Sequence, residues 1–381
     1  MTLSRRGFVR QFGVGAVGTM VAPGIAGRGL EALTPGRGAI ELAPKPLLIR
    51  LDSNENPDGP GPVALQAIRD ALGDTMRYPD DAVTLLQTAV AGLHGTDPYH
   101  VRLGCGSTDI LRACVQAFTS PTRGLVTAAP SYESPSVEAE RVGAPVKAVR
   151  VTSDLTLDLD GMAAASKGAG LIYLCNPNNP TATVHGGQVV RAFIDRVLRD
   201  TPELTVLVDE AYHEYVDDPG YSTMVPLALE HPRVVVTRTF SKVYGMAGLR
   251  VGYALGRPAT MNTIEKYILD LGINALGAAA ATASLKAKGH VAREQARNRA
   301  ARDFTRKAFA DLGYACGPSE ANFIMVDVRR DPRAFRAACR DRGVMVGRPF
   351  PPLETQARIT IGTMDEMRRA MPVFKEVLGS A

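Results

Sequence analysis

The stretch Arg238-Thr239-Phe240-Ser241-Lys242-Val243-Tyr244-Gly245-Met246-Ala247-Gly248-Leu249-Arg250 follows the β-branched run Val234-Val235-Val236-Thr237. Such a run predicts a strand buried on both faces, as in a parallel sheet covered by helices. Lys242 therefore stands just past a strand end, with the hydroxyls of Thr239 and Ser241 before it and Arg250 beyond. An amine withdrawn from water is costly unless it is paired or used covalently. Held among groups that suit a phosphate, it has what a pyridoxal phosphate Schiff base requires. A solvated loop lysine ahead of a helix is the plainer reading of the segment taken by itself.

Outward from this stretch, similar short apolar runs occupy residues 101–104, 125–128, 146–151, 171–175, 204–208 and 251–255. Helical patterns separate several of them. One is Ser107–Phe118, which places Ile110, Leu111, Cys114, Val115 and Phe118 on one face. The alternation predicts an α/β fold with a three-layer αβα large domain around a mostly parallel seven-stranded sheet. The later residues differ. A long Arg- and Ala-rich helix is expected over 290–312, a strand within 322–328 and a helix over 332–342. A strand near Val344, a strand at 358–361 and a closing helix from Asp365 complete a smaller α+β domain. The expected partition is 49–270 for the large domain and 271–381 for the small one, after a linker or arm at 27–48.

The first 26 residues are of another kind. Arg5, Arg6 and Arg10 precede an uncharged run from Gln11 to Gly27, with small residues at Gly24 and Ala26. This layout is that of a signal peptide, and the paired arginines followed by Gly7-Phe8 resemble the twin-arginine export motif. The expectation is export to the periplasm, or beyond, through the twin-arginine machinery; without export the protein stays in the cytoplasm. Setting aside these residues and their three arginines leaves 41 basic and 39 acidic residues, a net of +2. That balance gives no case for nucleic acid or an anionic membrane as partner. The 5 cysteines have no metal-site spacing, and buried free thiols are expected.

In open α/β sheets, ligands gather beyond the carboxyl ends of the strands. Asp209 ends the run Leu204-Thr205-Val206-Leu207-Val208, with Tyr212 three residues on. An acid there needs a partner, which a protonated pyridine nitrogen would be. Alternatively it caps the following helix. Asn176-Pro177-Asn178-Asn179-Pro180-Thr181 follows the strand at 171–175 and reads as a stiff turn, or as a turn that points Asn179 at a ring oxygen. Gly104-Cys105-Gly106-Ser107-Thr108 joins a strand to a helix, whose free amides suit a phosphate.

In this order, with Tyr132 between the glycine turn and the asparagine turn, the motifs resemble those of the fold-type I pyridoxal phosphate enzymes, the aspartate aminotransferase superfamily. Within it the chain looks most like the histidinol-phosphate aminotransferase family. Leu51-Asp52-Ser53-Asn54-Glu55-Asn56-Pro57, Arg77-Tyr78-Pro79, Glu320-Ala321-Asn322-Phe323 and Arg358-Ile359-Thr360-Ile361-Gly362-Thr363 add to the likeness, which runs from about residue 47 to the end. The resemblance implies an aminotransferase that moves an amino group between an amino acid and a 2-oxo acid. Lys242, Asp209 and Tyr212 would form its catalytic set. Asn179 and Tyr212 would bind the ring oxygen, and Tyr132 would stack on the ring. Ser107, Thr108, Thr239, Ser241 and Arg250 would hold the phosphate. Tyr78 would reach the phosphate of a neighbouring subunit, so a homodimer with shared sites is implied. Arg358 would clamp the substrate carboxylate, with Asn179, Arg348 and Asp58 around the substrate. A decarboxylase of the same fold and a non-catalytic exported binding protein are the alternatives.

Two positions depart from the family pattern. Ala182 stands where a glycine is usual, and Asp58 where a tyrosine is usual. An acid facing the pocket would disfavour a substrate phosphate, so the expected donor side chain is not a phosphate ester. Arg348 pulls the other way, unless it pairs with Asp58.

Overall fold

A computed structural model describes residues 48–379. The signal-peptide expectation and nearly all of the expected linker lie outside the described residues. Among the described residues no helix is long and apolar enough to cross a membrane, and all five cysteines are free.

The strands in chain order are β1 (Ile49–Leu51), β2 (Val101–Cys105), β3 (Gly124–Ala129), β4 (Val146–Arg150), β5 (Ala169–Cys175), β6 (Thr205–Asp209), β7 (Val234–Thr239), β8 (Val251–Leu255), β9 (Phe323–Asp327), β10 (Val344–Val346) and β11 (Gln356–Thr360). Seven of them form one sheet in the order β2-β8-β7-β6-β5-β3-β4. The pairs β4–β3, β3–β5, β5–β6 and β6–β7 are parallel, and β8 runs antiparallel to both of its neighbours. The α/β, fold-type I expectation is met, and all seven apolar runs read from the sequence are strands of this sheet.

Continuous apolar runs arise because both faces are covered. All of β5 is buried. Ile172 and Leu174 join Val206, Val208 and Val236 in one core, against Val190, Phe193 and Ile194 of the helix Gly187–Asp200. Leu171, Tyr173 and Cys175 join Leu207 and Val235 in the opposite core, against Ile110, Leu111 and Cys114 of the helix Ser107–Phe118. Burying each such aliphatic side chain is worth roughly 1.5–3 kcal/mol. A polar replacement in the middle of β5 or β6 would break the stack.

A further core lies around two short sheets, β1 with β10 in parallel and β9 with β11 antiparallel. Phe335 and Cys339 of the helix Pro332–Asp341 and Met367, Ala370 and Phe374 of the helix Met364–Gly379 fill it. Ile49 and Leu51 belong to this core, whereas Ile273, Ala278, Ala280, Ala281 and Phe323 belong to the large sheet's core. The chain thus crosses between the two cores after Leu51, between Ala281 and Ala301, between Phe309 and Ala321, and between Phe323 and Ile324.

Candidate active site

Strands β5, β6 and β7 run in register, with Cys175 opposite Asp209 and Asp209 opposite Thr237. Their carboxyl ends therefore deliver Asn179, Asp209 and Lys242 to one edge. With the turn after β2 they line a cavity of about 450 Å³, a size that holds a small molecule.

Past β7 the chain turns tightly, because the Ser241 N–H donates to Thr239 Oγ1 (3.1 Å) and the two hydroxyls lie 2.9 Å apart. The turn aims Lys242 inward, where Nζ donates to the carbonyl of Asn54 at 3.1 Å and lies 5.5 Å from the centre of the Tyr212 ring. Burial, reinforced by the nearby Arg358 cation, pushes the Lys242 amine down to about 8, while Glu55 and Asp209 pull the other way. The solvated-lysine reading is set aside by these contacts.

Asp209 is buried, 2% exposed, at the end of β6. Tyr173 Oη donates to its Oδ2 at 2.7 Å and the Ala211 N–H to its Oδ1 at 3.2 Å. Burial pushes the carboxyl up to about 6, against the pull of those two hydrogen bonds and of Lys242. No helix is capped by this carboxylate; it closes a two-residue turn and faces the cavity. Tyr212 accepts a hydrogen bond from Asn54 Nδ2 at 3.1 Å and meets the Phe323 ring edge-on, centroids 5.0 Å apart.

The helix Ser107–Phe118 opens at Gly106 without a side-chain cap. Gly106 has φ +71°, and a side chain there would strike the Arg250 guanidinium, so the position suits glycine in both respects. Arg250 is itself left-handed (φ 56°) and donates Nη1 to the carbonyl of Ala247 at 2.9 Å. Ser107, Thr108, Thr239, Ser241 and Arg250 all line this end of the cavity. Tyr132 joins them through a contact of 3.2 Å between its hydroxyl and Thr108 Oγ1.

Arg358 approaches from β11. Its Nη1 donates to Asn179 Oδ1 and its Nη2 to the carbonyl of Asp52, each at 2.7 Å, while the buried Nε has no protein partner. The guanidinium lies 4.7 Å from the Phe350 ring centre and 5.6 Å from that of Phe323. Burial pushes it down to about 10. Among the described residues neither Arg250 nor Arg358 forms an ion pair with a carboxylate. At the mouth, Arg348 pairs with Glu133 and stacks on Phe350 at 4.4 Å, and Arg336 completes the lining.

Two expected residues lie elsewhere. Asp58 pairs its carboxylate with Arg297 at 3.0 Å and does not line the cavity. Nor does it pair with Arg348. The helix His290–Asp311 brings Arg297 beside the turn at 56–59, and the closer cation takes the acid. Tyr78 is 77% exposed and outside this chain's own cavity. The family's glycine position is also accounted for. Ala182 adopts φ 62° in a fully buried turn, its N–H bonded to the Asn178 carbonyl at 2.7 Å. The turn keeps the left-handed shape and alanine bears the strain, on the order of 1 kcal/mol.

Sequence reasoning missed Asn54. With φ 55°, it bonds Thr360 Oγ1 through its N–H (2.9 Å), Tyr212 through its amide, and Lys242 through its carbonyl. An asparagine inside a Ser-Asn-Glu-Asn-Pro run is the one available signal, since asparagine tolerates left-handed backbone.

Residues 47–374 match the model of the family described as aminotransferase class I and II. The chain is 37% identical over 335 residues to a histidinol-phosphate aminotransferase of Symbiobacterium thermophilum, covering 87% of this chain and 91% of that one. It is also 37% identical over 340 residues to an aromatic amino acid aminotransferase of Thermobifida fusca, covering 88% and 92%. Among solved structures, the histidinol-phosphate aminotransferase of Sinorhizobium meliloti in complex with pyridoxal-5'-phosphate superposes with a TM-score of 0.82 at 30% identity, covering 87% of this chain and 91% of that one.

Proposed function

Because this chain belongs to the aminotransferase class I and II family, we propose that the cavity described above is where it transfers an amino group between an amino acid and a 2-oxo acid. Its cofactor is pyridoxal phosphate. The residues present fit that group. Arg250, the uncapped start of the helix at Ser107 and the hydroxyls of Thr108, Thr239 and Ser241 would hold the phosphate. The bare Gly106 turn lets the Arg250 guanidinium lie against the start of that helix, where a side chain at 106 would collide with it. Asp209 would face the ring nitrogen, Tyr212 and Asn179 the ring oxygen, and Tyr132 the ring face.

When bound, the cofactor supplies a carbonyl that carries the amino group and a ring that accepts the electron pair released at the substrate Cα. The chain supplies the rest. Lys242 Nζ, as the neutral amine, would hold the cofactor between turnovers and, once the donor has displaced it, would take the proton from the donor Cα and deliver it to the cofactor's carbonyl carbon. Asp209, when ionised, would pair with the ring nitrogen and keep it protonated. Arg358 binds the substrate carboxylate in a bidentate pair, its buried cation otherwise lacking an anion. The single observation that carries this reading is one cavity containing Lys242, Asp209, Arg250 and Arg358, neither arginine having a carboxylate partner among the described residues.

The donor's side chain points to the mouth, toward Phe350, Arg336 and the Glu133–Arg348 pair. With Asp58 paired to Arg297 and outside the cavity, no acid at position 58 disfavours a phosphate-ester side chain. Kinetics of the loaded protein with common amino acids and histidinol phosphate, each with a 2-oxo acid acceptor, tests function and specificity together. Amino transfer from an α-amino acid is the expected result. No transfer from any donor in the panel overturns the proposal.

The finer assignments rest on sequence and surface. We propose a homodimer in which Tyr78 serves the partner's phosphate. Met76 is 79% exposed beside Tyr78, and Leu269 and Leu271 are exposed across a shared hollow from Pro79 and Val83. So much exposed apolar surface on one side suits a second copy. Sedimentation should give the mass of a dimer, and Tyr78→Ala should retain the cofactor less well; a monomer with full activity refutes this. We propose also that Arg5 and Arg6 direct twin-arginine export of the folded, loaded protein. Replacing both by lysine should keep it inside the cell. A wild type found wholly in the cytoplasm counts against export.

A further inference from the structure

Strand β5 is buried along its whole length, and its one hydroxyl-bearing side chain is Tyr173, 1% exposed. The ring packs in the core layer of Leu171, Leu207 and Val235. Phenylalanine would fill that layer as well. A phenol buried there is costly unless its hydroxyl finds a partner. The partner is Asp209 Oδ2, at 2.7 Å. Two fixed donors, the Tyr173 hydroxyl and the Ala211 N–H, thus hold one oxygen each of the same carboxylate.

We propose that Tyr173 is a positioning residue that keeps the Asp209 carboxylate ionised and fixed in orientation, and so sets how firmly the cofactor's ring nitrogen holds its proton. The inference rests on the reading that Asp209 faces that nitrogen. A hydroxyl donating to a carboxylate stabilises the charged form, and burial opposes it. In this site burial acts most strongly on Asp209, and the Tyr173 bond is the largest influence against it. The phenol itself is pushed well above its ordinary range by burial and by the adjacent carboxylate, so it remains a donor throughout the working pH range. Without it, Asp209 becomes the better base, and the proton shared with the ring nitrogen moves toward the carboxylate. The ring then attracts electrons less strongly and turnover slows, while substrate binding at Arg358 is untouched.

The test uses the holoenzyme loaded with pyridoxal phosphate carrying nitrogen-15 in the ring. Tyr173→Phe keeps the ring and removes only the hydroxyl. Its nitrogen signal should move part of the way from the wild-type, protonated position toward the unprotonated one, as for a shift of about one pKa unit, or tenfold. Asp209→Asn should move the signal the full distance. The kcat of Tyr173→Phe should fall about tenfold, the measure of one charge-assisted hydrogen bond, with KM for the donor unchanged. Leu207→Ala, in the same core layer, should lower the melting temperature without moving the signal. If Tyr173→Phe matches the wild type while Asp209→Asn moves, the proposal is overturned and the role of Asp209 stands. If Leu207→Ala moves the signal as far as Tyr173→Phe, packing is the cause and the proposal is overturned. If neither Tyr173→Phe nor Asp209→Asn moves it, Asp209 does not face the nitrogen and both readings fall.

Discussion

Lys242→Ala should lower kcat by at least about a thousandfold, within the range expected for loss of a positioned general base. No neighbour can replace the amine. The Tyr212 phenol, pushed up by burial, is tied to Asn54. Asp209 is held by Tyr173 and Ala211, and Glu133 is paired with Arg348 at the mouth. The wild type offers a second check on the same residue. Capture of free cofactor needs the neutral amine, and burial sets that amine at about 8. The capture rate of the cofactor-free protein should therefore rise with pH through about 8. Arg358→Leu removes a cation that depresses the amine, so the midpoint should move upward. Borohydride reduction and peptide mapping of the loaded wild type should place the label on Lys242. A label on another lysine, or near-normal turnover by Lys242→Ala, refutes the assignment.

Asp209→Asn should cost ~2–4 kcal/mol of transition-state stabilisation, roughly 30- to 1000-fold in kcat. The substitution keeps the size of the side chain and an acceptor for the Ala211 N–H. It removes the charge that a buried site otherwise bears at a cost, and with it the reason for the ring nitrogen to stay protonated. The donor's KM should change little, because Arg358 contacts Asn179 and Asp52 and not Asp209. A mutant with wild-type kcat would show that the carboxylate is only structural.

The large sheet was legible because its chemistry is local. A strand covered on both faces is apolar along most of its length, so β5, β6 and β7 announce themselves in short windows. Residues at the ends of those strands were legible for the same reason: a lone acid or lysine after such a run has few places to go. What escaped depends on distant partners. Strand β1 has three residues and exists only through pairing with β10. The pairing of Asp58 escaped because Arg297, its partner, lies far along the chain on the helix His290–Asp311. Tyr173 passed for an ordinary core aromatic, since nothing in its own strand reveals that its hydroxyl meets Asp209. Asn54 was hidden by its backbone, whose left-handed turn orients a side chain that an extended reading would send elsewhere.

The parallel pairing of Ile49 with Val344 has a consequence for the order of events during synthesis. The segment just after β1 carries Asn54, whose carbonyl receives the Lys242 amine, and β11, which supplies Arg358, follows β10. On the ribosome the seven-stranded sheet can assemble while β1 still waits, unpartnered, for residues 344–346 to emerge. Pairing across so long a stretch of chain is slow and comes late. The sheet end of the pocket thus forms before the substrate end, and a nascent chain should be able to hold the cofactor's phosphate before it can hold a substrate. Ribosome-stalled chains ending before residue 344 should capture cofactor weakly and discriminate among amino acids not at all.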